Sequence, residues 1–237
     1  MRQSLQAGFL LHYQNYQESS LLIDVFTQRE GRLSLIAKGV KQQKSPYLGL
    51  LRPFVPLNMT YSGSRNLKIL THVETGTAEF ILPGINTYCG FYLNELIRYF
   101  IPVGEPYQDV FLNYLSCLQQ LKTQHNIEAA LRTFEIRLMH ALGYGLGLEF
   151  DFATDRAIEA DLIYRYDIEQ GATIDSEGNI HGSTLIAMQQ ENYINQRQLN
   201  EAKWLMRQVI DFHLQGKTLK SRLVIAKLMQ KELCNSN

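Results

Sequence analysis

Lys38, Lys41 and Lys44 recur every three residues, beside Gly39 and just ahead of Ser45-Pro46. The chemistry open to such a run is phosphate binding, because ammonium groups on a flexible loop neutralise phosphate oxygens without a fixed geometry. The run belongs to a longer basic stretch: residues 29–68 hold Arg29, Arg32, Lys38, Lys41, Lys44, Arg52, Arg65 and Lys68 against Glu30 alone, a balance of +7. Residues 203–231 form a second stretch, with seven cations against Asp211, a balance of +6. Between them, residues 149–177 carry nine carboxylates against Arg156 and Arg165, a balance of −7. The whole chain is neutral, with 23 Lys+Arg and 23 Asp+Glu, so a polyanion-binding face must come from segregation rather than from net charge. Each run taken alone also fits an ordinary solvated face. The aromatics Phe9, Tyr13, Tyr16, Phe54 and Tyr61 share the basic region, where they would serve either as core or as platforms on which bases stack.

Catalytic chemistry finds little support. Gly143-Tyr144-Gly145-Leu146-Gly147 has Leu148 where a dinucleotide-binding loop needs its third glycine, and it follows a helical pattern rather than a strand. His12, His72, His125, His140, His181 and His213 show no H-x-x-x-H or H-E-x-x-H spacing, and His72 with Glu74 is too small a set for a metal. Glu95 and Glu135 fall on separate helices, so no carboxylate pair for acid–base work is evident. The residues thus predict no catalytic group, no metal and no cofactor. Cys89, Cys117 and Cys234 are odd in number and widely spaced, which favours buried thiols in a reducing compartment. No secretory or spanning segment is recognisable, and a cytoplasmic, nucleoid-associated location is the expectation.

The elements that must carry these side chains change character along the chain. Apolar segments at 7–13, 20–26, 33–37, 55–61 and 67–73, separated by polar or glycine-bearing turns, predict five short strands closing a small barrel. Leu33, Leu35 and Ala37 alternate with Ser34, Ile36 and Lys38, which assigns one set to the core and the other to the outside. Beyond Pro83-Gly84 the apolar spacing is helical, with helices expected over 85–101, 108–122, 127–142, 198–215 and 219–233. The acidic segment reads as a small hairpin or irregular insert around the turn Asp175-Ser176-Glu177-Gly178-Asn179. The fold class is therefore α+β: a five-stranded barrel over residues 1–80 that fits the OB type, with an SH3-like barrel equally allowed by the strand count, then a helical domain over 81–237 with an insert at about 149–185.

Several ordered motifs run through both halves. Ser19-Ser20-Leu21-Leu22-Ile23-Asp24-Val25-Phe26-Thr27, Gly31-Arg32-Leu33, Ala37-Lys38-Gly39-Val40-Lys41, Leu51-Arg52-Pro53-Phe54 and Tyr61-Ser62-Gly63 resemble the start of the bacterial RecO recombination-mediator family. Tyr92-Leu93-Asn94-Glu95-Leu96, Phe134-Glu135, Leu142-Gly143-Tyr144 and Lys220-Ser221-Arg222 continue the likeness in order.

The resemblance implies an OB-fold followed by a helical domain in a non-enzymatic protein that binds single- and double-stranded DNA and anneals complementary strands. It also implies partners: RecR, the acidic C-terminal tail of the single-stranded-DNA-binding protein SSB, and RecA indirectly as the protein loaded onto SSB-coated DNA. Lys38, Lys41, Lys44, Arg65 and Lys68 are the expected phosphate contacts. Arg132 and Arg137, on a helix with Leu131, Phe134 and Leu138, are the expected cations for the SSB tail, which needs an apolar pocket beside a positive charge. Some family members hold zinc with four cysteines in the insert; Glu149 to Gly182 has no cysteine here, so other contacts must hold it. The competing class is a barrel-plus-helix adaptor that binds protein partners without handling DNA directly.

Overall fold

The structure, a computed structural model, describes residues 5–43, 45, 47, 49–63, 67–76 and 79–235. Its elements are β1 (Gln6–Tyr16), β2 (Ser20–Thr27), β3 (Gly31–Ala37), β4 (Pro56–Ser62), β5 (Leu67–Thr75), α1 (Ile85–Phe100), α2 (Gln108–Thr123) and α3 (Ile127–Ala141). There follow β6 (Ile163–Asp167), β7 (Gly171–Ile174), β8 (Ile180–His181), α4 (Gly182–Gln190), α5 (Gln196–Leu214) and α6 (Lys220–Asn235). The first five strands close a barrel in the order β1-β2-β3-β5-β4, the OB arrangement expected. The α+β class stands.

Strand alternation builds the barrel. Leu10, Val25 and Leu33 face one another across β1, β2 and β3, and Ile23 faces Leu35; these five side chains, each 3% exposed or less, form part of the core. A bulge in β1 between Leu10 and His12 shifts the register, so His12 falls opposite Asp24 on the outside. The ring closes where β3 runs parallel to β5, with Ser34 opposite Leu67, and where β1 meets β4 with Gly8 opposite Leu57.

The break from strands to helices near residue 80 is not where compactness divides the chain. One compact unit comprises residues 1–124 and 219–237, and the other residues 125–218. Three helices belong to the first unit, α1, α2 and α6, and the first two join it because the outside of the barrel is not wholly polar. Phe9 and Phe26 point outward yet are buried, forming an aromatic cluster with Phe111 and Tyr114 of α2 at ring separations of 5.3–6.3 Å. One glycine lets α1 close on the same barrel: a Cβ at Gly90 would stand 2.7 Å from the Phe54 ring.

A single turn of α1 ties this unit together. The Asn94 side-chain amide donates to the Leu11 carbonyl of β1 (3.2 Å), and its oxygen accepts from the Tyr114 hydroxyl of α2 (2.7 Å). The next residue, Glu95, accepts from the Lys220 and Ser221 backbone N–H groups (2.9 Å each) and from the Ser221 hydroxyl (2.6 Å). A carboxylate from one helix thereby caps the N-terminus of another, satisfying donors that α6 cannot satisfy itself and placing negative charge at the positive end of its dipole. Arg222 then donates to the Tyr92 hydroxyl (3.3 Å) and lies over its ring.

In the second unit α3, α4 and α5 pack with a three-stranded sheet of order β7-β6-β8. The expected hairpin is present as β6–β7, but its turn is at Asp167, whose carboxylate accepts from the Glu169 and Gln170 N–H groups (2.9 Å each). The Asp175–Asn179 turn instead carries the chain past β6 to β8, on the opposite side from β7. Buried Asp151 anchors this sheet. Its carboxyl is held below the usual carboxylate range, first by the Thr154 hydroxyl (2.6 Å) and then by backbone N–H groups including that of Ile174 (2.7 Å). The helix α4 has no counterpart among the expected elements. It is short, begins on a glycine, and buries Thr184, Leu185, Ala187 and Met188, which leaves no polar stripe to reveal its period.

Replacing Asn94 by leucine leaves the Leu11 carbonyl and the Tyr114 hydroxyl buried without that partner, and should cost roughly 2–4 kcal/mol. Tyr114→Phe should cost about 1 kcal/mol, and the double variant less than the sum of the two, because the orphaned hydroxyl is then gone. Urea unfolding of the three variants measures this.

Candidate nucleic-acid interface

The cations of the first basic stretch separate into those already engaged and those left for solvent. Arg32 donates to the Ile101 carbonyl (2.8 Å), and Arg52 pairs with Glu79 (3.3 Å). Lys68 pairs with Glu30 (2.7 Å) and lies 4.9 Å from the centre of the Tyr61 ring. Burial pushes the Glu30 carboxyl up, the Lys68 hydrogen bond pulls it down, and the pull prevails. Lys38 and Lys41 differ from these. Both are exposed on the loop that follows β3, and neither side chain has an ion pair among the described residues. The Lys41 N–H donates to the Ser19 carbonyl (3.1 Å), which fastens this loop to the β1–β2 turn. Lys44 and Arg65 lie outside the described residues.

The five aromatics divide similarly. Phe9, Phe54 and Tyr61 are core residues, Tyr16 is half-buried, and Tyr13 is 51% exposed. Tyr13 stands opposite Ile23, where β1 runs on toward the turn fastened to the lysine loop. Of the five rings it is the most exposed.

Three further residues meet in a way that the sequence pattern does not reveal. His12 of β1 lies opposite Asp24 of β2, and Asp24 accepts from Ser34 of β3 (2.8 Å) and from Arg98 of α1 (3.0 Å). Burial holds the His12 imidazole below its usual value, helped by the positive charges of Arg98 and Lys220 and opposed by Asp24. His12, Arg98 and Lys220 therefore form one electrostatic neighbourhood, although they come from β1, α1 and the start of α6. The only trace of it in the sequence is the motif pair of Glu95 and Ser221, which brings α6 back to this unit. The second basic stretch divides between the two compact units. Lys203, Arg207 and Lys217 belong to the unit of residues 125–218, whereas Lys220, Arg222, Lys227 and Lys231 belong to the barrel unit.

The two arginines of α3, the expected cations for the SSB tail, differ in burial. Arg132 is 5% exposed, and its guanidinium forms a two-pronged ion pair with Glu135, itself 1% exposed. Burial of α3 reaches from Ala130, Phe134 and Leu138 round to Glu135 and Met139, and Arg132 lies inside on the side of these last two. Arg137 is exposed and forms a similar fork with Glu191 at the end of α4.

A five-stranded OB-type barrel with helices following defines the class: an α+β protein whose barrel carries, among the described residues, two lysines without an ion pair on one loop. Comparison with known proteins narrows that class. The family model described as recombination protein O N terminal matches residues 1–78, and that described as recombination protein O C terminal matches residues 84–223. The chain is 38% identical over 220 residues to the DNA repair protein RecO of Methylococcus capsulatus, covering 92% of this chain and 91% of that relative. It is 39% identical over 233 residues to the protein of that name from Nitrosococcus oceani, covering 96% and 95% of the two chains. With that of Actinobacillus pleuropneumoniae it shares 33% identity over the full length of both. The chain belongs to the RecO family. Among the described residues no helix is long and apolar enough to cross a membrane.

Arg132→Ala leaves Glu135 buried without its counter-charge and should destabilise the protein by about 3–5 kcal/mol. Arg137→Ala, which breaks an exposed pair, should cost less than about 1 kcal/mol. Denaturant unfolding of the two variants side by side distinguishes them.

Proposed function

We propose that this protein is a non-enzymatic recombination mediator in DNA repair, which binds single- and double-stranded DNA through its barrel unit and anneals complementary strands. The observation that carries the reading is the contrast within one basic stretch: Arg32, Arg52 and Lys68 are engaged with other groups of the chain, while Lys38 and Lys41 are exposed with no ion pair among the described residues. Two complementary strands repel each other through their phosphates. Lysines that neutralise those charges lower the barrier to pairing and leave the base edges free. Lys38, Lys41 and Lys44 are the principal contacts, Arg65 joins them, and Lys68 contributes least because Glu30 already holds it. Lys220 at the start of α6, and Arg98 of α1 where Asp24 leaves it exposed, extend the cationic surface beside the neutral imidazole of His12.

In this reading the protein works with RecR to load RecA onto DNA covered by SSB, and its α3-bearing unit receives the acidic SSB tail. Arg137 is the cation for that tail. Its guanidinium already presents a fork to the Glu191 carboxylate, and a carboxylate of the tail would take the place of Glu191. Arg132 acts from beneath, holding the helix core through Glu135.

Changing Lys38, Lys41 and Lys44 together to glutamate should weaken single-stranded DNA binding at least tenfold. The log–log salt slope should become shallower by about 2, at about 0.7 for each phosphate no longer neutralised. Salt-titrated binding and annealing of SSB-coated strands measure both, and undiminished binding would overturn the reading. For the tail, Arg137→Ala should lower affinity for an acidic peptide ending in a phenylalanine carboxylate by about tenfold, the effect of one charge-assisted fork. Equal affinity in calorimetric titration would remove Arg137 from the site.

A further inference from the structure

The unit of residues 125–218 has a cleft of about 400 Å³ whose chemistry is opposite to that of the barrel loop. One wall is α5. Trp204, Gln208 and Phe212 recur there every four residues and so lie along one side of the helix, with Trp204 37% exposed and Phe212 49% exposed. The other wall is the end of β6 and the turn beyond it, which carries Asp167 and Glu169, both exposed. Arg165 also borders the cleft, but its guanidinium is held by Asp175 (2.7 Å). The two carboxylates therefore decide the sign, within a segment whose balance is −7.

We propose that this cleft is a docking pocket for an arginine or lysine side chain on a basic segment of a protein partner. Charge complementarity selects the occupant. Aromatic faces attract a cation through their quadrupole, tryptophan most strongly, and carboxylates opposite them supply hydrogen-bond acceptors. Arginine fits best, because its planar guanidinium can stack on a ring and fork to a carboxylate at once. Nucleic acid and acidic tails are repelled by the same carboxylates, so the pocket is no extension of the phosphate-binding surface. It does not depend on the DNA-handling reading, and either can fail without the other.

Trp204 is the only tryptophan in the chain, so its fluorescence reports directly on this cleft. The full-length protein is titrated with hexaarginine and, in parallel, with hexaglutamate, in the absence of DNA. Hexaarginine should produce a saturable change in emission and hexaglutamate none. The Asp167→Asn/Glu169→Gln double variant, which keeps the shape, and Phe212→Ala, which keeps the charge, should each weaken hexaarginine binding by about tenfold, the effect of one desolvated cation–aromatic or charged contact. The variant with Lys38, Lys41 and Lys44 changed to glutamate should respond as the parent does. The proposal is overturned by the absence of a saturable change up to millimolar peptide, or by an equal response to hexaglutamate. It is also overturned if the double variant weakens binding while Phe212→Ala does not, which would mean diffuse attraction to acidic surface. The reverse pattern, with binding sensitive to Phe212 and indifferent to the carboxylates, would mean apolar docking and overturns it equally, as does binding indifferent to both.

Discussion

The barrel unit depends on one polar turn of α1. Asn94 and Glu95 are adjacent, yet they join three different elements: β1 and α2 through the amide, and α6 through the carboxylate. Apolar contacts such as those of Phe9, Phe26, Phe111 and Tyr114 supply driving force but tolerate small shifts in angle and register. Buried hydrogen bonds do not, because a donor or acceptor left unmatched in a low-dielectric interior carries a large penalty. The apolar cluster thus brings the helices to the barrel, and the turn at 94–95 sets where they stop.

Charge is distributed by a related logic. Carboxylates in the barrel unit hold particular cations in place: Asp24 holds Arg98, Glu30 holds Lys68, and Glu79 holds Arg52. These pairs contribute little stability, since most are half-exposed and screened. Their effect is positional. Engaged cations are held in one place, whereas Lys38 and Lys41 are exposed on their loop with no ion pair among the described residues. A neutral chain thereby acquires an adaptable positive surface without an excess of positive charge.

Much of this is legible in the residues alone, and the reasons for the exceptions are specific. Strands β3 and β4 announce themselves through alternation, with one side in the core and one outside, whereas β1, β2 and β5 show as short apolar runs between turns. The helices other than α4 show an apolar stripe; α4 is buried too completely to have one. The lysine loop is visible because it is local in sequence. Partnerships are not. Arg132 and Glu135 have the spacing of a helical ion pair, but nothing in the spacing says that both are buried. The meeting of His12, Arg98 and Lys220 needs a strand bulge and a cap between residues more than a hundred positions apart, and neither leaves a periodic trace.

The return of α6 to the barrel unit also bears on the order of events during synthesis. The chain leaves this unit at residue 124 and comes back at residue 219, so 94 residues of a separate unit are translated in between. Until Ser221 has emerged from the ribosome, Glu95 has no helix to cap, although every strand of the barrel is already available. The first unit to begin folding is therefore the last to be completed, and a nascent chain stalled within the intervening unit would carry a closed barrel with one carboxylate still waiting for its helix.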